Sequence, residues 1–131
     1  MQSILKTSQT HNVSVTFRAA GTSLSGQAVS DSVLLLLDEH WRGHEIINDG
    51  QQIKLQPGVI GVQANQYLAP YHRKIGPDPA SINTCKIGGI AANNASGMCC
   101  GVANNTFYTL AGMTIILADG TCVDTLDPES V

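Results

Sequence analysis

The residues with the clearest chemical potential lie in a loop, residues 18–27, whose sequence is R-A-A-G-T-S-L-S-G-Q. Most of its side chains are small or carry hydroxyls, so the loop contributes little apolar surface to a core. The backbone N–H groups of such a loop can surround a phosphate and provide partial positive charge without a lysine. Gly21 and Gly26 also permit positive φ angles and a close approach of the ligand. The pattern favours a dinucleotide pyrophosphate, although Gly and Ser are equally typical of ordinary structural turns.

A second stretch of small residues covers residues 76–101 and contains G-P-D-P-A-S, I-G-G and A-N-N-A-S-G in that order. Neither stretch matches the phosphate loop of NTPases, G-x-x-x-x-G-K-[ST], or the Rossmann fingerprint, G-x-G-x-x-G. Two separate small-residue surfaces suit a long cofactor that needs contacts along its length. Cys85 precedes I-G-G and is a candidate contact residue. A catalytic thiolate is not predicted there, because Lys86 is the sole basic neighbour in sequence that could lower the thiol pKa.

With these motifs the sequence resembles the FAD-linked oxidases of the vanillyl-alcohol oxidase type, which carry a PCMH-type FAD-binding domain. The resemblance runs from Val13 to Thr121 and is greatest to the D-lactate, glycolate and D-2-hydroxyglutarate dehydrogenase branch. In that family the R-x-x-G-T-S-L-S-G-Q loop wraps the FAD pyrophosphate, and the later motifs border the flavin. The resemblance implies cofactor contacts at Ala19, Ala20, Gly21, Thr22, Ser23, Leu24, Gly26, Gln27, Pro77, Asp78, Ser81, Cys85, Gly88, Gly89, Ala92, Asn93 and Gly97.

The sequence departs from the family pattern at two places in the first loop. Ala19 and Ala20 stand where relatives often carry glycine, and alanine is small enough to keep a backbone cradle open. Thr22 stands where the covalent members carry a histidine. The resemblance therefore implies FAD that is held without a covalent bond.

The implied activity is the oxidation of a D-2-hydroxy acid to a 2-oxo acid, with no catalytic residue in this chain. An FAD-dependent alcohol or sugar oxidase on the same scaffold is one alternative, and a non-catalytic module for another phosphate-bearing ligand is a second. In relatives the substrate domain and its acid–base and metal-binding residues follow the A-D-G-T hairpin, which is residues 118–121 here. Some relatives also add an iron–sulfur domain. Residues 1–131 are thus expected to be one fragment of an FAD-binding domain, inactive alone and weak in FAD binding. The hydroxy-acid substrate would contact a missing domain, and the electron acceptor stays open.

Composition is typical of one globular piece, with 131 residues of which 43% are hydrophobic and 13% charged. Seven basic residues against ten acidic ones give a net charge of -3, which argues against a nucleic-acid partner. Cys85, Cys99, Cys100 and Cys122 lack the spacing of a metal site, and His40 and His44 lack a third ligand. Free buried thiols are expected, which favours a cytoplasmic location and leaves peripheral membrane attachment of the whole protein open.

The periodicity and turn signals predict an α+β fold rather than a doubly wound parallel sheet. A fold of mixed and antiparallel strands, short helices and long small-residue loops is expected. We predict a helix end at residues 4–8 whose start precedes the sequence, strands at 13–17 and 33–37, and a hairpin of 45–48 and 52–56 that forms an antiparallel sheet there. A helix at 59–69, a helical turn near Ile90 and a hairpin of 112–118 and 121–125 complete the prediction.

Overall fold

A computed structural model describes residues 1–98 and 101–130 and confirms the α+β class. Short 3-10 turns lie at Glu39–Trp41, Ala69–Tyr71 and Val102–Asn104. The main elements in chain order are α1 (Gln2–Thr10), β1 (Val15–Arg18), β2 (Val33–Leu36), β3 (His44–Ile47), β4 (Gln52–Leu55), α2 (Gly61–Leu68), α3 (Ile87–Ala92), α4 (Thr106–Thr109), β5 (Thr114–Ile116) and β6 (Cys122–Asp124).

Helix α1 is longer than predicted, and the first strand therefore begins later in the sequence. It begins at Gln2, and the chain leaves it through Asn12, which adopts a φ of 51°. The backbone N–H of Val13 still donates to the Ser8 carbonyl at 2.9 Å, so this residue belongs to the helix exit. The first strand therefore runs from Val15 to Arg18 rather than over residues 13–17.

Strands β1 and β2 form a two-stranded parallel sheet in which Val15 lies opposite Val33. Parallel neighbours need a connection of about a dozen residues or more, because the chain must return to the same end of the sheet. Residues 19–32 make this connection without a helix or strand of their own. The sequence predicted the strand at 33–37 without a partner, and the structure pairs it with β1. The strand is also not buried, since a two-stranded sheet leaves Leu36 62% exposed.

Both predicted hairpins are confirmed. Strands β3 and β4 pair antiparallel with Ile46 opposite Ile53, and β5 and β6 pair antiparallel with Ile115 opposite Val123. Each turn carries the Asp-Gly dipeptide that a tight hairpin turn favours, and Gly120 adopts a φ of 85° in the second one.

Helix α2 provides the centre of the core. At the start of this helix, the backbone N–H of Ile60 donates a hydrogen bond to the Gln63 side-chain Oε1 at 3.1 Å. Ala64 and Leu68 on this helix are almost completely buried. The helix predicted for residues 59–69 is confirmed, although it is shorter because Val59 lies in a bend before the N-cap residue Ile60 and Ala69 begins a 3-10 turn.

The turn and bend at residues 57–59 anchor the second small-residue stretch to the core. The N–H of Ile87 donates to the Val59 carbonyl and the N–H of Gly88 to the Pro57 carbonyl, each at 2.9 Å. Helix α3 follows, with Ile90 only 3% exposed, and confirms the helical turn predicted there. Helix α4 was not predicted. It is capped by Asn105, whose Oδ1 accepts from the Tyr108 N–H at 2.9 Å.

The cysteine prediction is only partly right. Cys85 is a buried free thiol, whereas Cys122 is an exposed one because β6 belongs to a small two-stranded sheet. Cys99 and Cys100 lie outside the described residues.

His44 has a structural environment rather than a metal-like one, since its ring stacks on Tyr67 at 3.7 Å with an interplanar angle of 3°. Within residues 1–98 and 101–130, no three His, Cys, Asp or Glu side chains converge on a metal position. Over the same part of the chain, the helices are all too short or too polar for a membrane crossing.

Candidate cofactor-binding groove

The two small-residue loops lie face to face and enclose a groove of about 230 Å³. The first wall, defined as residues 19–28, comes from the connection between β1 and β2. The second wall, defined as residues 77–97, comes from the stretch around α3. The groove is lined by Phe17, Ala19, Ala20, Gly21, Thr22, Ser23, Gln27, Ala28, Pro79, Ser81, Cys85, Lys86, Gly89, Ile90, Ala92, Asn93 and Ala95.

The first wall presents unused backbone donors. Within the described residues, the N–H groups of Ala20, Gly21 and Thr22 donate to no protein acceptor. Ala20 is half-buried and Gly21 and Thr22 are exposed, so these three adjacent N–H groups are accessible beside the groove and can donate to a ligand with several acceptor oxygens. Ser23 closes the loop from within by donating its hydroxyl to the Gln27 side-chain oxygen.

Gly21 explains how the first wall is shaped. It adopts a φ of 71°, and a Cβ atom placed there would lie 2.4 Å from Arg18 Nε and 2.8 Å from Nη2. The absence of a side chain thus lets the guanidinium fold against the loop backbone. Gly26 has a similar φ of 73° but open space on its Cβ side. Both glycines are favoured by their conformation, and a side chain at Gly21 would also displace the Arg18 guanidinium.

The second wall is held rigidly by backbone hydrogen bonds. Asp78 forms a parallel bridge with Gly97, in which the Asp78 N–H donates to the Ser96 carbonyl at 2.8 Å and the Met98 N–H donates to the Asp78 carbonyl at 2.9 Å. A Cβ atom on Gly97 would lie 1.9 Å from that Asp78 carbonyl oxygen. The two ends of the wall can therefore approach this closely only with glycine at residue 97.

The two walls also meet directly. A Cβ atom at Gly89 would lie 3.7 Å from the Ala19 Cβ, an ordinary van der Waals contact. The Lys86 ammonium donates to the carbonyl of Leu37, the residue that follows β2. The Leu37 N–H in turn donates to the Arg18 carbonyl at 3.0 Å. This chain of bonds ties the start of α3 to the point where the first wall begins.

Eleven of the seventeen predicted contact residues line the groove, and six do not. Leu24 is fully exposed to solvent, and Gly26 lies on the outer turn of the first wall. In the second wall, Asp78, Gly88 and Gly97 make hydrogen bonds or close approaches that position the wall, and Pro77 is buried. The six residues outside the groove lining are Leu24, Gly26, Pro77, Asp78, Gly88 and Gly97.

Six lining residues were not among the predicted contacts: Phe17, Ala28, Pro79, Lys86, Ile90 and Ala95. Pro79 and Ala95 lie within the motifs already quoted, and Phe17 and Ala28 flank the first loop, so their neighbours carried the signal. Ile90 also supplies core packing. No local signal identifies Lys86, because its position depends on a partner 49 residues away in sequence.

The groove carries positive charge without a compensating acid. Its lining contains Lys86 and no carboxylate. The Asp78 carboxylate, which lies next to the groove, pairs instead with Lys74 at 3.6 Å. Small side chains, free backbone donors and one ammonium are the features that a pyrophosphate-bearing cofactor requires, so the residues present fit FAD.

The fold and the groove together define a flavin-nucleotide-binding domain of the FAD-linked oxidase type. The structure aligns with 6-hydroxy-D-nicotine oxidase from Arthrobacter nicotinovorans at a TM-score of 0.80, with 16% sequence identity, over 94% of this chain and 27% of that one. It aligns with a chitooligosaccharide oxidase at a TM-score of 0.73, with 22% identity, over 94% of this chain and 26% of that one. These likenesses establish the fold.

The family follows from the sequence comparison. Residues 1–126 match the model of the FAD binding domain family, so the chain belongs to that family. It is similar to the glycolate oxidase subunit GlcD of Escherichia coli K12, with 36% identity over 82% of this chain and 22% of the relative. It is also similar to the D-2-hydroxyglutarate dehydrogenase of Escherichia coli K12, with 31% identity over 82% of this chain and 11% of the relative. The chain thus spans less than a quarter of these relatives.

Proposed function

We propose that this chain forms part of the FAD site of a flavin-dependent enzyme that oxidises a D-2-hydroxy acid, such as glycolate, D-lactate or D-2-hydroxyglutarate, to the 2-oxo acid. The observation that carries this proposal is the convergence of the two small-residue loops on one groove. Family membership supports the cofactor, and the identity to GlcD and to D-2-hydroxyglutarate dehydrogenase supports the substrate class.

The chain's own residues would bind and orient the cofactor. The N–H groups of Ala20, Gly21 and Thr22 would donate to pyrophosphate oxygens, and the hydroxyls of Ser23 and Ser81 stand at the same groove. The apolar side chains of Phe17 and Ile90 and the small ones of the second wall would exclude water from the isoalloxazine ring. When bound, FAD accepts the hydride that the hydroxy acid loses.

The groove contains no residue suited to general acid–base catalysis of hydroxyl oxidation. A general base must lie within hydrogen-bond reach of the substrate hydroxyl, and among the described residues the titratable side chains in the lining are Cys85 and Lys86. We therefore assign the acid–base residues, the hydroxy-acid site and the contact to the electron acceptor to parts of the enzyme other than this chain. An additional iron–sulfur domain in the whole protein belongs to the same proposal.

The test uses the full-length protein that carries this chain. We expect it to purify with stoichiometric FAD, or to bind FAD on titration, and we expect a D-2-hydroxy acid to bleach the flavin absorbance under anaerobic conditions. The L-enantiomers provide the control. If the protein binds FAD but the flavin is bleached by an alcohol or a sugar and not by hydroxy acids, the substrate is an alcohol or a sugar and the proposed substrate class is wrong. Absence of flavin binding would contradict the proposal altogether.

We also propose that the FAD is held without a covalent bond, because Thr22 occupies the place in the first wall where covalent relatives carry a histidine. Acid precipitation of the full-length protein should then release all of the flavin into the supernatant. Yellow colour that remains in the washed precipitate would disprove this. A cytoplasmic location is proposed on the free thiols of Cys85 and Cys122.

A further inference from the structure

Lys86 is a half-buried cation whose charge is not neutralised by a carboxylate. Its ammonium donates to the Leu37 carbonyl, which is a neutral acceptor, and it forms no ion pair with any residue of the described chain. Moving a cation out of water is costly unless it is paired or serves a ligand. A chain with a net charge of -3 and ten acidic residues offers carboxylates for pairing, yet none of the described residues forms an ion pair with Lys86.

The second cation beside the groove has the same character. Arg18 is half-buried at the end of β1, with its guanidinium against Gly21, and no carboxylate pairs with it in residues 1–98 and 101–130. Arg18 directly precedes the first wall, and the Lys86 ammonium is connected to Arg18 through the Leu37 backbone. Two cations that form no ion pair within the described residues therefore lie near the start of the first wall.

The tether to Leu37 fixes where the Lys86 charge can act. A free lysine side chain samples many rotamers, and ordering one costs up to about 2 kcal/mol of side-chain entropy. Here the hydrogen bond to the Leu37 carbonyl orders the ammonium before a ligand arrives. Since Leu37 N–H also bonds to the Arg18 carbonyl at 3.0 Å, the charge is held at the beginning of the first wall.

We propose that Lys86 is a specificity-determining residue of the groove, whose ammonium provides the positive charge that binds the pyrophosphate of FAD and is positioned for this by the Leu37 carbonyl. This rests on the proposed function, because it assumes that the groove binds FAD. It adds a residue from the second wall to a pyrophosphate site that would otherwise consist of the first wall alone.

The test compares Lys86→Gln and Lys86→Met in the full-length protein, with FAD and riboflavin as the probes. Glutamine keeps a donor for the Leu37 carbonyl but removes the charge, and methionine removes both. Lys54→Met, on the exposed face of β4, is the control for loss of one positive charge. Riboflavin lacks the pyrophosphate, so the ratio of FAD to riboflavin affinity isolates the charged part of the ligand within each variant.

We expect both Lys86 variants to weaken FAD binding by roughly 10- to 100-fold, the range for loss of one charge-assisted contact. Riboflavin affinity should change by less than about threefold, and the dependence of FAD affinity on salt should become shallower. Lys54→Met should match the wild type.

Wild-type FAD affinity in Lys86→Gln would show that Lys86 acts only as a tether and would overturn the proposal. Equal losses for FAD and riboflavin would overturn it as well, because they indicate a general collapse of the groove. Failure of the wild-type protein to bind FAD would instead contradict the proposed function, which separates the two failures.

Discussion

The two walls of the groove are built in opposite ways. The second wall is bonded to itself and to the core through the Asp78–Gly97 bridge, the Ile87 N–H bond to Val59 and the hydroxyl of Thr106. In the first wall, the N–H groups of Ala20, Gly21 and Thr22 donate to no acceptor among the described residues, and Leu24 is completely exposed. The comparison indicates that folding builds one wall, while the other keeps its polar groups available for the ligand. Changes to the second wall should therefore cost stability, and changes to the first should cost affinity.

The largest effect is expected for Gly97→Ala in the second wall. A Cβ atom there would lie 1.9 Å from the Asp78 carbonyl oxygen, which is backbone and has little freedom to move. We expect the free energy of unfolding to fall by about 3 kcal/mol or more, because the bridge between the ends of the wall must open. Urea denaturation followed by circular dichroism measures this.

Gly101→Ala is the matched control for Gly97→Ala. Gly101 has a φ of 85°, close to the 83° of Gly97, but none of the described residues lies within 4 Å of its Cβ position. With a ψ of 164° its backbone lies in a region that is open essentially only to glycine, so this variant carries a conformational cost of about 1–3 kcal/mol and no steric one from the described residues. Equal destabilisation by both variants would show that the close approach to Asp78 contributes nothing.

A smaller loss of stability is expected for Thr106→Val, which removes a hydroxyl that supports the second wall from α4. Thr106 Oγ1 lies 3.2 Å from the Ile90 carbonyl oxygen and 3.0 Å from the Ala95 carbonyl oxygen. Both carbonyls keep a backbone donor, so we expect a cost of about 1–2 kcal/mol in urea denaturation. Thr10→Val, which removes an exposed hydroxyl from α1, should change stability by less than about 0.5 kcal/mol. A comparable loss in the Thr10 variant would count against rigid support of the second wall.

The first wall should respond through affinity. Gly21→Ala forces the Arg18 guanidinium away from the loop and places a methyl group at the groove, so we expect FAD affinity to fall about tenfold or more. Stability should fall by only about 1–2 kcal/mol. Gly26→Ala has nearly the same φ but lies outside the groove lining, and its FAD affinity should change by less than about threefold. Isothermal titration with FAD distinguishes them, and identical losses would contradict a specific role of Gly21.

The smallest effect is expected outside both walls, at the turn between β5 and β6. The Thr121 N–H donates to Asp119 Oδ1 at 2.8 Å and lowers the pKa of this fully exposed carboxyl below its usual 3.8. Because the folded-state pKa is lowered, the bond stabilises the hairpin at pH values above the unfolded pKa, and this contribution is lost as the pH falls through the folded pKa. A carboxyl NMR titration should give a midpoint below 3.8, whereas Asp119→Ala should leave FAD affinity unchanged. A midpoint at or above 3.8 would exclude the hydrogen bond in solution.

Local sequence was sufficient wherever a local interaction determines the structure. The hairpin turns were predictable because Asp-Gly favours them, and the first wall was predictable because its small residues cannot form a core. The pairing of β2 with β1 could not be predicted, since the alternation of side chains along a strand does not specify its partner strand. Helix α4 has few strong helix formers and depends on the Asn105 cap and on the contact of Thr106 with α3. The position of Lys86 required the tertiary fold.

Hydrogen exchange of the full-length protein with and without FAD tests the central claim most directly. The N–H groups of Ile87 and Gly88 in the second wall are already bonded to Val59 and Pro57, so they should be protected in both states. The N–H groups of Ala20, Gly21 and Thr22 should exchange rapidly without FAD and become protected when it binds. FAD binding that leaves these three N–H groups unprotected would contradict the assignment of the first wall as the pyrophosphate site.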